Sequence, residues 1–136
     1  MKIYAVSMDR NLLAIGFRRV VAAAKSNGFD VQSIYFLDDI KEATHAGSWW
    51  RQKTGEDFGV NFLSEEDRLD SLAKYLSDGD VIAFSLMSVQ RNLCKALCEK
   101  VKELNPDIKI ILGSYHPTIF PEDAIEFSDA IAIGEG

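Results

Sequence analysis

The chain has too few of several residue patterns to support some common designs. Cys94 and Cys98 are its only cysteines among 136 residues, so no disulfide framework is available. No apolar run reaches the ~18 residues of a membrane span. The opening MKIYAVSMDR lacks the long apolar stretch and small-residue cleavage site of a signal peptide. Basic runs and stripes are absent and the net charge is −6, which argues against a nucleic-acid surface. These absences make a cytoplasmic location the default expectation. What is present suffices for one globular core: 47% of residues are hydrophobic and 26% charged.

Apolar periodicity supplies the organisation. Lys2 to Ser7 reads as a first strand. Leu13, Phe17, Val20, Val21 and Ala24 recur at helical spacing between Asn11 and Asn27. Gly28 follows as a helix C-cap, and Phe29 to Phe36 reads as strand two. Glu65 to Leu76 predicts a helix, with Ser64 as cap and Asp67 completing a weak capping box. Val81 to Leu86 is almost unbroken apolar sequence, as in strands buried on both faces of a parallel sheet. Leu93, Leu97, Val101 and Leu104 trace a helix stopped at Asn105-Pro106. Ile108 to Leu112 predicts another strand. Pro121-Glu122-Asp123 suits the first turn of a short helix, and Ala130 to Ile133 is a last strand.

Strands alternating with helices require parallel pairing and right-handed crossovers. The expected fold is a doubly wound, flavodoxin-like (Rossmann-like) α/β domain, with a five-stranded parallel sheet between two helical layers. Leu37 to Leu63 is long for a connection and carries His45, Trp49, Trp50, Phe58 and Phe62. Its aromatics either pack back on the core or form a flap over a partner or cofactor. A short helix near Asp39 to Ala46 is one option within it.

In such sheets ligands bind outside the carboxyl ends of the strands. Those ends are Ser7-Met8-Asp9, Ser85 to Ser88, Gly113 to Thr118 and Gly134 to Gly136. Each is rich in small or polar residues. A dinucleotide site would need G-x-G-x-x-G after strand one, but Ser7 to Gly16 holds one glycine. A P-loop is absent, and Asp9-Arg10-Asn11-Leu12 is no flavin phosphate loop. A phosphorelay receiver would need an Asp after strand three and a Lys after strand four; neither is there.

The segments DVIAFSLMSVQRN, NPDIKIILGSYHPTIFPEDAIEF and AIAIGEG resemble the cobalamin-binding domain, and more narrowly its form at the N-terminus of cobalamin-dependent radical S-adenosylmethionine enzymes. The likeness is best over Asp80 to Gly136 and fades over Leu37 to Leu63. It implies a corrinoid-binding module that is not itself catalytic. A [4Fe-4S] cluster and S-adenosylmethionine would belong to a further catalytic domain of the same parent chain. Because the sequence stops after the fifth strand, a closing helix and that catalytic domain are expected beyond residue 136. A methyltransferase or cyclase type of parent is implied, with its substrate on that domain.

The resemblance also assigns residues. Ser85 and Ser88, with Met87 between them, would lie near the nucleotide tail of the cofactor. Gly113 and Ser114 would flank the tail, with Tyr115 and His116 beside them. Gly134 and Gly136 would bound the far end of its pocket. Asp9, Arg10 and Asn11 would line the lower face. The family pattern D-x-H-x-x-G after strand one becomes Asp9-Arg10-Asn11-Leu12-Leu13-Ala14. Asn11 therefore takes the place of the histidine, Ala14 that of the glycine, and Ser114 that of the second glycine after strand four. Asn is a poor cobalt ligand, so binding without a protein histidine on cobalt is expected. The same departures fit a rival, a degenerate scaffold or interaction domain with no cofactor. A small sensor for another nucleotide-like ligand is a third reading.

Cys94 and Cys98 sit four apart on a predicted helix beside Leu97 and Val101. They do not meet C-x-x-x-C-x-x-C and are expected to be buried core thiols. His116 is either a satisfied structural histidine or a contact to the corrin edge or phosphate. No acid–base pair, nucleophile–histidine arrangement or metal site is identifiable.

Overall fold

The computed structural model describes residues 1–8, 14–36 and 65–134. Strand β1 is Ile3–Ser7, helix α1 Ile15–Ser26 and strand β2 Val31–Tyr35. Helix α2 (Glu65–Leu76) leads to β3 (Val81–Ser85). A 3-10 turn, Ser88–Gln90, runs into α3 (Arg91–Leu104), which leads to β4 (Lys109–Gly113). Two short helices, α4 (Tyr115–Ile119) and α5 (Pro121–Ala124), and the turn Ile125–Phe127 precede β5 (Ala130–Ile131).

The five strands are all parallel in the order β2-β1-β3-β4-β5. This is the expected flavodoxin-like order, with β1 and β3 at its switch point. Alternation along each strand divides the side chains between two faces. One face carries Tyr4, Val6, Ile82, Phe84, Ile110 and Leu112, all at most 2% exposed. They pack with Leu69, Ala73 and Leu76 of α2 and with Cys94, Leu97, Cys98 and Val101 of α3. Each such Leu, Ile or Phe contributes about 1.5–3 kcal/mol by leaving water. Lys100 of α3 reaches Asp70 of α2 at 2.6 Å and ties the two helices at their rim.

Among the described residues the opposite face carries a thinner layer. Ala5 and Val31 pack with Val21 of α1, joined by half-buried Ile3, Phe17 and Ala24. Beyond α1, Ala83 and Ser85 of β3 and Ile111 and Gly113 of β4 are only half-buried. The strands are therefore not covered equally on both sides, as the apolar run Val81 to Leu86 had suggested.

Other expectations shift in detail. Helix α1 begins at Ile15 and buries Val21 alone, while Val20 is exposed. With Ala5 as its sheet neighbour, α1 meets a shallow surface, and one line of side chains fills it. Gly28 has φ +86°, the left-handed conformation of a helix C-cap. Leu104 stands exposed at the end of α3. Strand β5 is two residues long rather than four. Helix α4 is an addition; Pro117 sits in its first turn, where the missing N–H costs nothing. Leu13, the Ser64 cap, the Asp39 to Ala46 helix and the Leu37 to Leu63 connection lie outside the described residues.

Candidate functional site

The carboxyl ends of the central strands finish level. Ser7 pairs with Tyr35 and Ser85, and Ser85 pairs with Gly113. The backbone ladder continues past them: Met8 N–H donates to Ser85 O (2.9 Å) and Leu86 N–H to Gly113 O (3.2 Å). Ser7, Ser85 and Gly113 share the thin face with Ala5 and Ala83, by the two-residue alternation. On β5 the same parity places Ala130 and Ala132 there, since Ile131 packs against the large core. Among the described residues the carboxyl end of this face beside α1 is thus a low strip, a groove in the sheet's own surface, lined by small side chains and bounded by Ile111.

Among the described residues, one buried polar side-chain atom has no partner, and it lies at this strip. Ser7 is fully buried, and its Oγ makes no hydrogen bond. An unpaired buried hydroxyl costs about 1–3 kcal/mol, so an incoming donor or acceptor would be welcome. The floor also has room at Gly113. A Cβ there would meet Ala132 Cβ at 3.7 Å and Phe84 O at 3.9 Å, ordinary contacts. Gly134 has φ +83° with open space around it.

Two turns at the site are held in conformations that favour glycine. Ser114 has φ 82° and ψ −152°, and Ala14 has φ 26° and ψ 56°. Among the described residues they are the only non-glycine positions with positive φ. The first lies in a region essentially reserved for glycine, at a cost of about 1–3 kcal/mol. Both are the positions where the motif pattern has glycine, so the chain keeps the backbone shape without the residue that makes it easy. Thr118 locks the rim of this turn: its hydroxyl donates to Ser114 O (2.8 Å) and accepts from Gly134 N–H (3.1 Å).

Behind the rim lies a polar chain. His116 is 5% exposed. Its Nδ1 is 3.0 Å from Ser88 Oγ and its Nε2 2.7 Å from Asp123 Oδ2. Arg91 grips Asp123 with two prongs, Nε to Oδ2 at 2.9 Å and Nη2 to Oδ1 at 2.5 Å. The Arg91 guanidinium, and after it His116, hold the Asp123 carboxyl down at about 2. Backbone bonds fix the ring from both ends, since His116 N–H donates to Leu86 O and Phe120 N–H to His116 O.

The candidate residues therefore converge in part. Ser85, Met87, Ser88, Gly113, Ser114, Tyr115, His116 and Gly134 all lie along the carboxyl edge of β3, β4 and β5. Tyr115 is 64% exposed and His116 is tied towards Arg91 of α3, so neither fills the groove. Asp9, Arg10, Asn11 and Gly136 lie outside the described residues. Sequence patterns placed Ser7 and Thr118 at strand ends without giving either a role, and gave no site role to Arg91 or Asp123. Asp123 passed for a helix N-terminal acid, and its seven-residue spacing from His116 across two short helices has no periodic signature.

Cys94 and Cys98 are buried within the core. The neighbouring Cys98 sulfur and then burial push the Cys94 thiol well up. Among the described residues no group of three or more His, Cys, Asp or Glu side chains could hold a metal, and no helix is long and apolar enough to cross a membrane.

Comparison with known proteins agrees with this geometry. No curated protein matches the chain. Among solved structures it is similar to the TrkA-N domain of the inner membrane protein ybaL from Escherichia coli. The two share 11% identity at a TM-score of 0.53, over 97% of this chain and 87% of that one. That likeness bears on the Rossmann-like fold alone. The family model described as B12 binding domain matches residues 1–136. A groove of small residues, glycine-like turns at its rim and an unpaired buried hydroxyl suit the family's ligand, and the chain belongs to the B12-binding domain family.

Proposed function

We propose that the chain is the cobalamin-binding module of a cobalamin-dependent radical S-adenosylmethionine enzyme, and that it holds the corrinoid with no protein histidine on cobalt. The observation that carries cobalamin binding is the strip of small, half-buried residues beside α1, Ala83, Ser85 and Gly113, with the unpaired Ser7 hydroxyl buried next to it. An extended nucleotide tail needs such a strip, because larger side chains at Ser85 or Gly113 would occupy its path. Family membership over residues 1–136 supports the same ligand. The corrinoid, when bound, would supply a reactive cobalt–carbon bond.

The chain's own part is to bind and orient. Ser85 and Gly113 would lie under the tail, Ser88 and Met87 at its mouth, and Gly134 at the far rim, with Ser114, Tyr115 and His116 framing the turn between. Asp9, Arg10 and Asn11 take the place of the family's cobalt-side motif in the sequence. Asn11 offers an amide where a histidine would offer an imidazole, and amides are weak ligands for such a metal. A radical catalytic domain carrying the [4Fe-4S] cluster and S-adenosylmethionine is the partner this arrangement suits, and resemblance over Asp80 to Gly136 supports it.

The test adds hydroxocobalamin to the purified chain, removes the excess, and measures visible spectra and stoichiometry. One corrinoid retained per chain is the expected result. Reduction to the Co(II) state should give an electron paramagnetic resonance spectrum without histidine nitrogen coupling. A folded chain that retains no corrinoid would overturn the reading in favour of a scaffold domain with an empty groove. A histidine-coupled spectrum would overturn the ligation alone.

A further inference from the structure

We propose that Arg91, Asp123 and His116 form a positioning chain that fixes Ser88 as a hydrogen-bond acceptor at the mouth of the groove, so the ligand group it meets is an N–H or O–H donor and not a phosphate oxygen. This rests on the corrinoid reading above.

The direction of each bond follows from the donor inventory. Arg91 has donors only, and the ionised Asp123 has acceptors only. Asp123 Oδ2 takes Arg91 Nε–H at 2.9 Å and faces His116 Nε2 at 2.7 Å. A carboxylate oxygen cannot donate, so Nε2 carries the proton. In the neutral ring Nδ1 then holds a lone pair. Ser88 Oγ lies 3.0 Å from that nitrogen, and its single hydrogen is directed there. Ser88 is exposed, and what it turns outward is lone pairs.

The ring has little freedom to exchange these roles. His116 is 5% exposed, its backbone is bonded at both ends, and its ring lies 5.5 Å from that of Phe120. Asp123 is gripped by both prongs of Arg91, whose guanidinium also lies over the Phe127 ring. Two acceptors facing each other repel, so a phosphate oxygen at Ser88 would be disfavoured. A corrin side-chain amide or a ribose hydroxyl can donate. Ser88 would thus select which part of the corrinoid lies at the mouth.

Two measurements on the 136-residue chain test this. The first is ¹⁵N NMR of the histidine ring at about pH 8. His45→Gln removes the other histidine signal. The expected result is a proton on Nε2 with Nδ1 accepting. A proton on Nδ1, alone or together with Nε2, would overturn the proposal. The second is titration with hydroxocobalamin by visible absorption. Ser88→Ala and Asp123→Ala should each weaken binding about three- to tenfold, the worth of one hydrogen bond. The double variant should be no weaker than Ser88→Ala, because Asp123 acts through Ser88. Additive losses would mean that Asp123 is merely structural. If the wild-type chain retains no corrinoid, the proposed function falls, while the ring tautomer still decides whether Ser88 is held as an acceptor.

Discussion

Ser114 and Ala14 share a backbone property found at no other described non-glycine residue: a positive φ, 82° in one and 26° in the other. They sit at separate strand ends, after β4 and before α1. Each side chain is carried by a conformation that L-residues avoid.

Ser114→Gly should therefore stabilise the chain. Relief of about 1–3 kcal/mol of strain is set against the ~0.5–1 kcal/mol entropic cost of glycine. A net gain of about 1 kcal/mol is expected, read as a higher urea midpoint with unchanged slope. Ala14→Gly should gain less, because its ψ of 56° falls in the left-handed helical range, whereas the −152° of Ser114 does not. A loss of stability in Ser114→Gly would refute strain at that turn.

Gly113→Val should separate folding from binding. The added Cβ meets only ordinary contacts at 3.7 and 3.9 Å, so the thermal midpoint should stay within a few degrees. The branched side chain would stand on the groove floor, and corrinoid retention should fall at least tenfold. Undiminished binding would mean that the tail lies elsewhere.

Ser7→Ala tests the unpaired hydroxyl. Removing a buried group that bonds nothing should leave the ligand-free chain as stable or about 1 kcal/mol more so. The same change should weaken cobalamin binding severalfold if the ligand satisfies that oxygen. Thermal unfolding with and without hydroxocobalamin gives both numbers.

Asp123 sets an acid limit. Its folded-state value of about 2 lies below the usual 3.8. Stability from this carboxylate is therefore complete above about pH 4 and lost as the pH falls through 2. Asp123→Asn should lower stability at neutral pH, and the gap from wild type should close between about pH 4 and 2. A gap independent of pH would mean that Arg91 and His116 do not depend on its charge.

Most of the fold is legible in local patterns. Leu93, Leu97 and Val101 mark α3, and Glu65 to Leu76 appears as α2 with its limits intact. These elements bury a stripe against a deep core, so their periodicity is strong. Val20 misleads because α1 covers a shallow surface, where one buried line suffices. The strand ends are equally plain, since small and polar residues cluster after each apolar run. The polar chain from Arg91 to Ser88 is not legible. It joins four residues from α3, α5, α4 and the turn after β3, and only the folded backbone brings each within 3.0 Å of the next. The strain at Ser114 is half legible: a missing glycine shows in the sequence, but its retained backbone angle does not.

The two faces of the sheet are also mutually dependent. Phe84 and Ser85 are adjacent, one in the dense core and one on the groove floor. A slip of β3 by a single residue would exchange them. It would plug the slot with an aromatic ring and drive a hydroxyl into hydrocarbon together. Core mutations that loosen strand register should thus abolish ligand uptake before the domain unfolds, and a bound corrinoid should in turn act as a gauge that keeps the strands in step.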